Sequence, residues 1–544
     1  MKELIGRESE LEEMERRFSN PRIRTLAIYG RRRVGKTAII REFCKGKRHL
    51  FLIANEESME ITLQSFSGEL DRFLGRESDP AGDFDGFLRR LKEADTESER
   101  TVIVIDEYPY IAKNTKGADS MLQRFIDYDL QEMNAFLIIC GSSVGAMDET
   151  INGREGPLYK RFIGPMRIKP LPYDVCSEFH PGMSREDLLR VYAIAGGYPL
   201  YHILMSGSTI RECIEGSLLG PYAPLYSEAE DLVRRELSPA GSALSVISAI
   251  AAGRVTMGEI VQYTGMSLKW CNEVVSRLEL LDMVAERVPM CGANRKEKRL
   301  VITDGLIRLY REVLAGKGEM IQGWDTAAAY DAIYEDLGTF YGEMFERICV
   351  QYIRRTRSCI AVGSWWGRAG DSDTDIDIVA EVDNGGMKGH VAVECKFRNK
   401  RVGIREYEEL KYASGCMVGA HNLRFCIIAR EGFTDELAEL AESAGIELVD
   451  LDAMYSIDRW TGLIAAIRRT IAQRMQHPCA RRASLCTATG RPLGIRYSGI
   501  PPSPGSGSPG LPSRSRHPPR PGPWICPRAS WTPRPRPGVR RSSS

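Results

Sequence analysis

The chain has 544 residues, 43% of them hydrophobic and 27% charged, with a formal net charge of +1. That is the composition of soluble globular protein, and the length suggests three or four domains. The sequence has no run of 18 or more apolar residues, which excludes an expected membrane-spanning helix.

The opening Met1-Lys2-Glu3-Leu4-Ile5-Gly6-Arg7-Glu8 does not read as a signal peptide. The 14 cysteines are scattered without a C-x-x-C pair. Free thiols in a reducing cytoplasm are therefore expected, and zinc is not indicated.

Thr25-Leu26-Ala27-Ile28-Tyr29 reads as an apolar strand. It leads into Gly30-Arg31-Arg32-Arg33-Val34-Gly35-Lys36-Thr37, which fits the phosphate-loop pattern G-x-x-x-x-G-K-[ST], and then into a helix around Ala38–Phe43. Glycines let such a loop turn its N–H groups toward phosphates, and the helix N-terminus adds positive potential. Lys36 is placed to reach the β/γ-phosphates of ATP, and Thr37 to hold Mg²⁺. A chance glycine-rich turn is the alternative, and the strand–loop–helix context argues against it. The side chains of Arg31, Arg32 and Arg33 can simply be solvated, because the backbone carries the binding.

Thr101-Val102-Ile103-Val104-Ile105 predicts a buried strand with Asp106 and Glu107 at its carboxyl end, where ligands bind in open α/β sheets. Asp106 is the Walker B candidate for Mg²⁺, and Glu107 the group to polarise attacking water. A third strand, Ala135–Cys140, ends in Gly141-Ser142-Ser143. Ser142 there suits either a γ-phosphate contact or plain turn chemistry.

Taken in order, Leu4-Ile5-Gly6-Arg7-Glu8, the phosphate loop, Val104-Ile105-Asp106-Glu107, Ile139-Cys140-Gly141-Ser142, Gly156-Pro157-Leu158-Tyr159-Lys160-Arg161 and Gly196-Gly197-Tyr198-Pro199 resemble the archaeal-type ATPases. These are a branch of the AAA+-related STAND group, and the resemblance covers about residues 1–235. It implies that Gly6-Arg7-Glu8 lies near the adenine, that Ser142 is the sensor, and that Pro199 belongs to a lid over the base. Arg161 matches the arginine of the family's Pro-Leu-Tyr-Gly-Arg motif, as a γ-phosphate or interface residue, or as a solvated cation. Lys160 replaces that motif's glycine.

Residues 239–310 predict helices at 243–250, 257–263 and 267–281, then strands at 284–288 and 299–303. That order reads as a winged helix-turn-helix, and a similar domain follows the ATPase in relatives. Lys269, Arg277, Arg295, Lys296, Lys298 and Arg299 are its candidate DNA-phosphate contacts. A module that packs on the ATPase and reports its nucleotide state is the alternative.

Residues 311–340 read as a helical linker and 341–470 as a further domain. Asp377 leads a strand, and Val391-Ala392-Val393-Glu394-Cys395-Lys396-Phe397 places Glu394 and Lys396 on one side of the next. With Glu346 on a helix, these acids are candidate Mg²⁺ ligands, and Lys396 is the group to position or deprotonate water. The pattern resembles the PD-(D/E)XK restriction-endonuclease-like fold. The surrounding residues resemble the uncharacterised domain that often follows this ATPase. The aspartate series 371–377 is no calcium loop, since Ile376 and Val382 stand where glycine and glutamate are needed. Trp365 and Trp366 suit base stacking or buried packing.

Residues 477–544 hold twelve Arg and 15 of the 28 Pro, but no Lys, Asp or Glu. Removing those twelve leaves 62 basic against 73 acidic residues, a body charge of −11. Such a segment is predicted to be disordered. It is either a basic nucleic-acid tail or an incidental extension.

The sequence thus predicts an α/β chain in five parts: a P-loop ATPase with helical lid at 1–236, a winged helix at 237–310, a linker, a nuclease-like domain at 341–470 and a disordered tail at 471–544. The expected function is a Mg²⁺-dependent ATPase switch in the cytoplasm, coupled to a DNA-directed module, with a homo-oligomer possible. The alternative is a signalling scaffold with a silent nuclease-like domain.

Overall fold

Five short apolar strands form the first sheet: β1 (Thr25–Tyr29), β2 (His49–Ile53), β3 (Thr101–Asp106), β4 (Ala135–Gly141) and β5 (Met166–Arg167). Their order is β2-β3-β4-β1-β5, and every pairing is parallel. All residues of β1, β3 and β4 are buried, as expected of central strands covered by helices on both faces. The chain is described here from a computed structural model covering residues 4–95, 98–292, 298–369 and 372–456. The Arg/Pro-rich tail lies outside the described residues. Among these residues no helix is long and apolar enough to cross a membrane.

The expected middle segment forms helices Ala240–Ala251, Met257–Thr264 and Leu268–Leu280, followed by the antiparallel strands β6 (Val284–Arg287) and β7 (Arg299–Ile302). Val274, Val275, Leu278 and Leu281 are buried, as their helical spacing requires. Thr256 and Glu259 form a reciprocal capping box that fixes the start of the second helix. Arg295 and Lys296 fall outside the described residues.

A 31-residue helix, Thr326–Thr356, runs straight through position 341, where the sequence predicts a domain boundary. The expected linker and the last domain therefore share one helix. Beyond it lies the second sheet, ordered β12-β11-β10-β9-β8, from β8 (Cys359–Ala369), β9 (Ser372–Asn384), β10 (Met387–Lys396), β11 (Arg424–Ala429) and β12 (Glu447–Val449). β8, β9 and β10 pair antiparallel, and β10, β11 and β12 parallel. Along β10, Val391, Val393 and Cys395 enter the main core, while Ala392 enters a smaller core with Tyr407 and Leu410. This alternation carries Glu394 and Lys396 to one face.

Candidate nucleotide site and acidic cluster

The phosphate loop follows β1 and feeds the helix Lys36–Cys44. Gly30 has φ +158°, and a Cβ there would lie 2.6 Å from the Ile168 carbonyl oxygen, so only glycine fits. Lys36 is 6% exposed, and its Nζ donates to the carbonyls of Gly30 (2.8 Å) and Arg31 (3.4 Å). Among the described residues no carboxylate pairs with it. A buried cation satisfied only by carbonyls is a site prepared for an anion. The Thr37 hydroxyl donates to Asp106 Oδ2 at 3.0 Å, placing two hard oxygen donors together. Loop, Lys36, Thr37 and Asp106 fit a Mg²⁺–nucleoside triphosphate.

Glu107 follows Asp106 with φ +58°, a left-handed conformation that is strained for a residue with a Cβ. Its Oε2 accepts from Ser142 N (3.1 Å) and Ser142 Oγ (2.9 Å), so the predicted water-polarising acid and the predicted sensor are in direct contact. Arg7 donates to the Val34 carbonyl of the loop at 2.9 Å. Pro199 Cγ lies 3.9 Å from where a Gly35 Cβ would stand, so the lid segment touches the loop. Arg161 is elsewhere: its guanidinium pairs with Asp127 at 2.9 Å, and no contact joins it to the phosphate loop among the described residues. Lys160, in the family's glycine position, holds φ +63°.

Each loop arginine meets an acid, and Arg31 is buried while Arg32 and Arg33 are half-buried. Arg31 pairs with Asp304 at 2.6 Å, with side chains 4% and 2% exposed, and donates to the Tyr198 hydroxyl at 2.6 Å. Arg32 pairs with Glu236 at 3.2 Å and Arg33 with Glu228 at 3.0 Å, at the two ends of the helix Glu228–Glu236. Burial opposes the Arg31 charge, but Asp304 and the Tyr198 and Tyr201 hydroxyls hold its pKa above the ordinary value. Burial pushes the Glu236 carboxyl up, against the pull of Arg32, Lys36 and Arg31. Asp304 does double duty. Its Oδ1 accepts from Ile307 N at 2.7 Å, capping the helix Gly305–Leu309 that follows β7.

In the second sheet, the Asp377 carboxyl lies close enough to Glu394 and Glu346 for their charges to act on it. Burial pushes Asp377 up to about 8, with Glu394 and Glu346 adding to it, and burial raises Glu394 as well. Asp377 Oδ2 accepts from Cys395 N at 2.8 Å. Glu394 pairs with Lys396, and Glu346 with Arg287 of β6 at 2.8 Å. Among the described residues no three His, Cys, Asp or Glu side chains are arranged to hold a metal ion. The donor types suit Mg²⁺, but in this conformation Lys396 and Arg287 neutralise two of the acids. Trp365 and Trp366 are buried, at 4% and 8% exposure. Lys298 pairs with Glu286 at 2.7 Å, and Arg299 lies over Trp366.

Residues 4–204 match a family described as an ATPase domain predominantly from Archaea. The match spans a little over a third of the chain and supports reading that segment as an ATP-binding ATPase domain. Residues 310–409 match a family of archaeal and bacterial proteins of unknown function. An uncharacterized protein of Methanocaldococcus jannaschii is 24% identical over 424 residues, 76% of this chain and 92% of its own length. An uncharacterized ATP-binding protein of the same organism is 41% identical over 44 residues, 8% of this chain and 75% of that protein. Among solved structures, a Walker-type ATPase of Pyrococcus abyssi aligns at 18% identity and TM-score 0.45, covering 57% of this chain and 96% of that one. The Aeropyrum pernix ORC1 protein in complex with DNA aligns at 16% identity and TM-score 0.30, covering 59% and 95%.

The partners of the loop arginines in the ATPase domain escape sequence reading. Thr303-Asp304-Gly305 carries a helix-cap signal, which marks where a helix begins but not what its carboxylate touches across 273 positions. Gly305 has a second constraint, since a Cβ there would sit 1.8 Å from the Ala193 carbonyl oxygen.

Proposed function

We propose that the chain is an ATP-driven switch, in which the nucleotide state of the ATPase domain is passed to a winged helix and a nuclease-like domain directed at DNA. The observation that carries this reading is the set of three ion pairs from consecutive loop residues: Arg31 to Asp304, Arg32 to Glu236 and Arg33 to Glu228. A loop that moves on binding phosphate moves all three. Asp304 stands two residues beyond β7, and Arg287 of β6 holds Glu346 of the acidic cluster. Nucleotide site and acidic cluster are thereby joined through one hairpin.

In this reading Lys36 binds the β/γ-phosphates, Thr37 and Asp106 hold Mg²⁺, and Glu107 polarises water once released by Ser142. Mg²⁺ supplies charge neutralisation on the phosphates. Arg7 and Pro199 enclose the adenine. Arg161, paired with Asp127 and not with its own phosphate loop, serves a neighbouring copy in a homo-oligomer. In the last domain Asp377, Glu394 and Glu346 hold Mg²⁺, and Lys396 orients water. The setting is the cytoplasm.

A second reading, a scaffold whose nuclease-like domain is silent, is favoured by the absence of a three-ligand metal cluster among the described residues. Mg²⁺-dependent nicking of plasmid DNA separates the two. The switch predicts cleavage that is lost in Glu394→Ala and Lys396→Ala. No cleavage with ATP, ADP or neither supports the scaffold.

A further inference from the structure

A cavity of about 540 Å³ opens beside the acidic cluster, and several parts of the chain wall it. The hairpin contributes Arg287 and Arg299, and the following helix Arg308. The long helix contributes Glu343, Glu346 and Arg347, while the second sheet contributes Trp365, Trp366, Asp375 and Asp377. The hairpin is fixed over this space, because Met290 N donates to the Ser364 carbonyl of β8 at 2.9 Å.

The arginines differ in how far they are neutralised. Arg287 pairs with Glu346, and Arg308 with Glu312 and Glu343. Arg347 donates to the Ile302 carbonyl at 2.7 Å, and Arg299 lies 4.5 Å from the Trp366 ring centroid. Neither Arg299 nor Arg347 pairs with a carboxylate among the described residues. Among the described residues the cavity wall thus carries acids together with two arginines that form no ion pair, one of them stacked on an indole.

We propose that this cavity binds a nucleoside 5′-phosphate, presented as the end of a single nucleic-acid strand, with Arg347 and Arg299 taking the phosphate and the Arg299–Trp366 stack supporting the base. Guanidinium groups bind phosphate through paired N–H donors, and unstacked bases lie on aromatic and guanidinium planes. The volume is that of a site for one small ligand, which admits a single nucleotide and excludes a duplex. The proposal rests on the nuclease-like reading for what the neighbouring acids do, but phosphate binding itself needs no metal.

The test is fluorescence anisotropy with the full chain carrying Lys36→Ala, so that the phosphate loop does not contribute, in EDTA. The probe is a labelled single-stranded oligonucleotide with a 5′-phosphate or a 5′-hydroxyl. The phosphorylated strand is expected to bind about tenfold tighter, the scale of one charge-assisted contact. Arg299→Ala, which alters an exposed side chain and should leave the melting temperature unchanged, is expected to abolish that preference, as is Arg347→Gln. Competition with AMP distinguishes the sources: displacement as tight as that by the strand assigns the site to free nucleotide, and much weaker displacement assigns it to a strand end. Equal binding of both strands, equal binding of a blunt duplex, or a preference retained in Arg299→Ala overturns the proposal. Phosphate-dependent binding without any Mg²⁺-dependent cleavage sinks the nuclease reading and leaves this pocket standing. Cleavage without phosphate preference does the reverse.

Discussion

Ser142 holds Glu107 from two atoms, its amide at 3.1 Å and its hydroxyl at 2.9 Å, both on the same carboxylate oxygen. One carboxylate oxygen of Glu107 is taken up by this contact; in the proposed cycle the contact is released and the Ser142 hydroxyl turns to the γ-phosphate. Ser142→Ala removes the hydroxyl and leaves the amide. ATP affinity is expected to stay within about threefold, while turnover falls about 100-fold, the scale of one lost transition-state donor. Equilibrium ATP binding and steady-state turnover on the same preparation check this. Unchanged turnover would mean that Ser142 serves only the turn.

The buried Arg31–Asp304 pair gives a stability prediction. Arg31→Met leaves a carboxylate that is 2% exposed without its cation, and the expected loss is about 3–5 kcal/mol. Asp304→Asn keeps a side-chain oxygen for the helix cap but leaves Arg31 charged and buried. In the double variant the losses should fall well short of their sum, because the two residues form one unit. Chemical denaturation of the four proteins of this cycle measures the interaction. Additive losses would show that the pair transmits nothing.

His202 is expected to make the fold around it acid-sensitive. Its ring is buried and stacked on Phe179, its Nε2 pairs with the Gly196 carbonyl at 2.7 Å, and its Nδ1 faces His180 Nε2 at 3.0 Å. Burial pushes its pKa down to about 3; the Gly196 carbonyl opposes this and His180 adds to it. The folded state therefore holds His202 neutral while the unfolded chain protonates near 6.5. Between those values the unfolded state binds more protons, so stability is lost as pH falls from about 6.5 toward 3. Melting temperatures across that window should decline less steeply in His202→Gln. Identical slopes would place the acid sensitivity elsewhere.

At the acidic cluster Asp377 and Glu394 are both desolvated, and the charges of Glu394 and Glu346 raise the Asp377 carboxyl further. Asp377→Asn is expected to raise the stability of the metal-free chain and remove any stabilisation by Mg²⁺ or Mn²⁺. Lys396→Met should retain the metal response and lose only cleavage. Thermal melting of the full chain across a metal titration checks both. Three identical metal responses would mean that these residues are ordinary charges.

Much of this arrangement is legible in the sequence, for physical reasons. β1, β3 and β4 are central strands, buried on both faces, and their continuous apolar runs announce them. β2 at the edge is buried only at alternate positions over five residues, and β5 has two residues, too few to carry any period. Lys36, Thr37, Asp106, Glu107 and Ser142 were readable because each sits beside a strand end, where local sequence places it. Arg31, Arg32 and Arg33 read as solvated, yet each meets an acid at least 195 positions away. Local pattern does not encode such pairings.

Whether the nucleotide site hydrolyses ATP through Glu107 is decided by one comparison. Mg²⁺-dependent ATP turnover and ATP binding are measured together for wild type, Lys36→Ala and Glu107→Gln. Lys36→Ala is expected to lose both, and Glu107→Gln to retain binding with turnover lowered at least about 100-fold. Wild-type turnover in Glu107→Gln would contradict that role for Glu107.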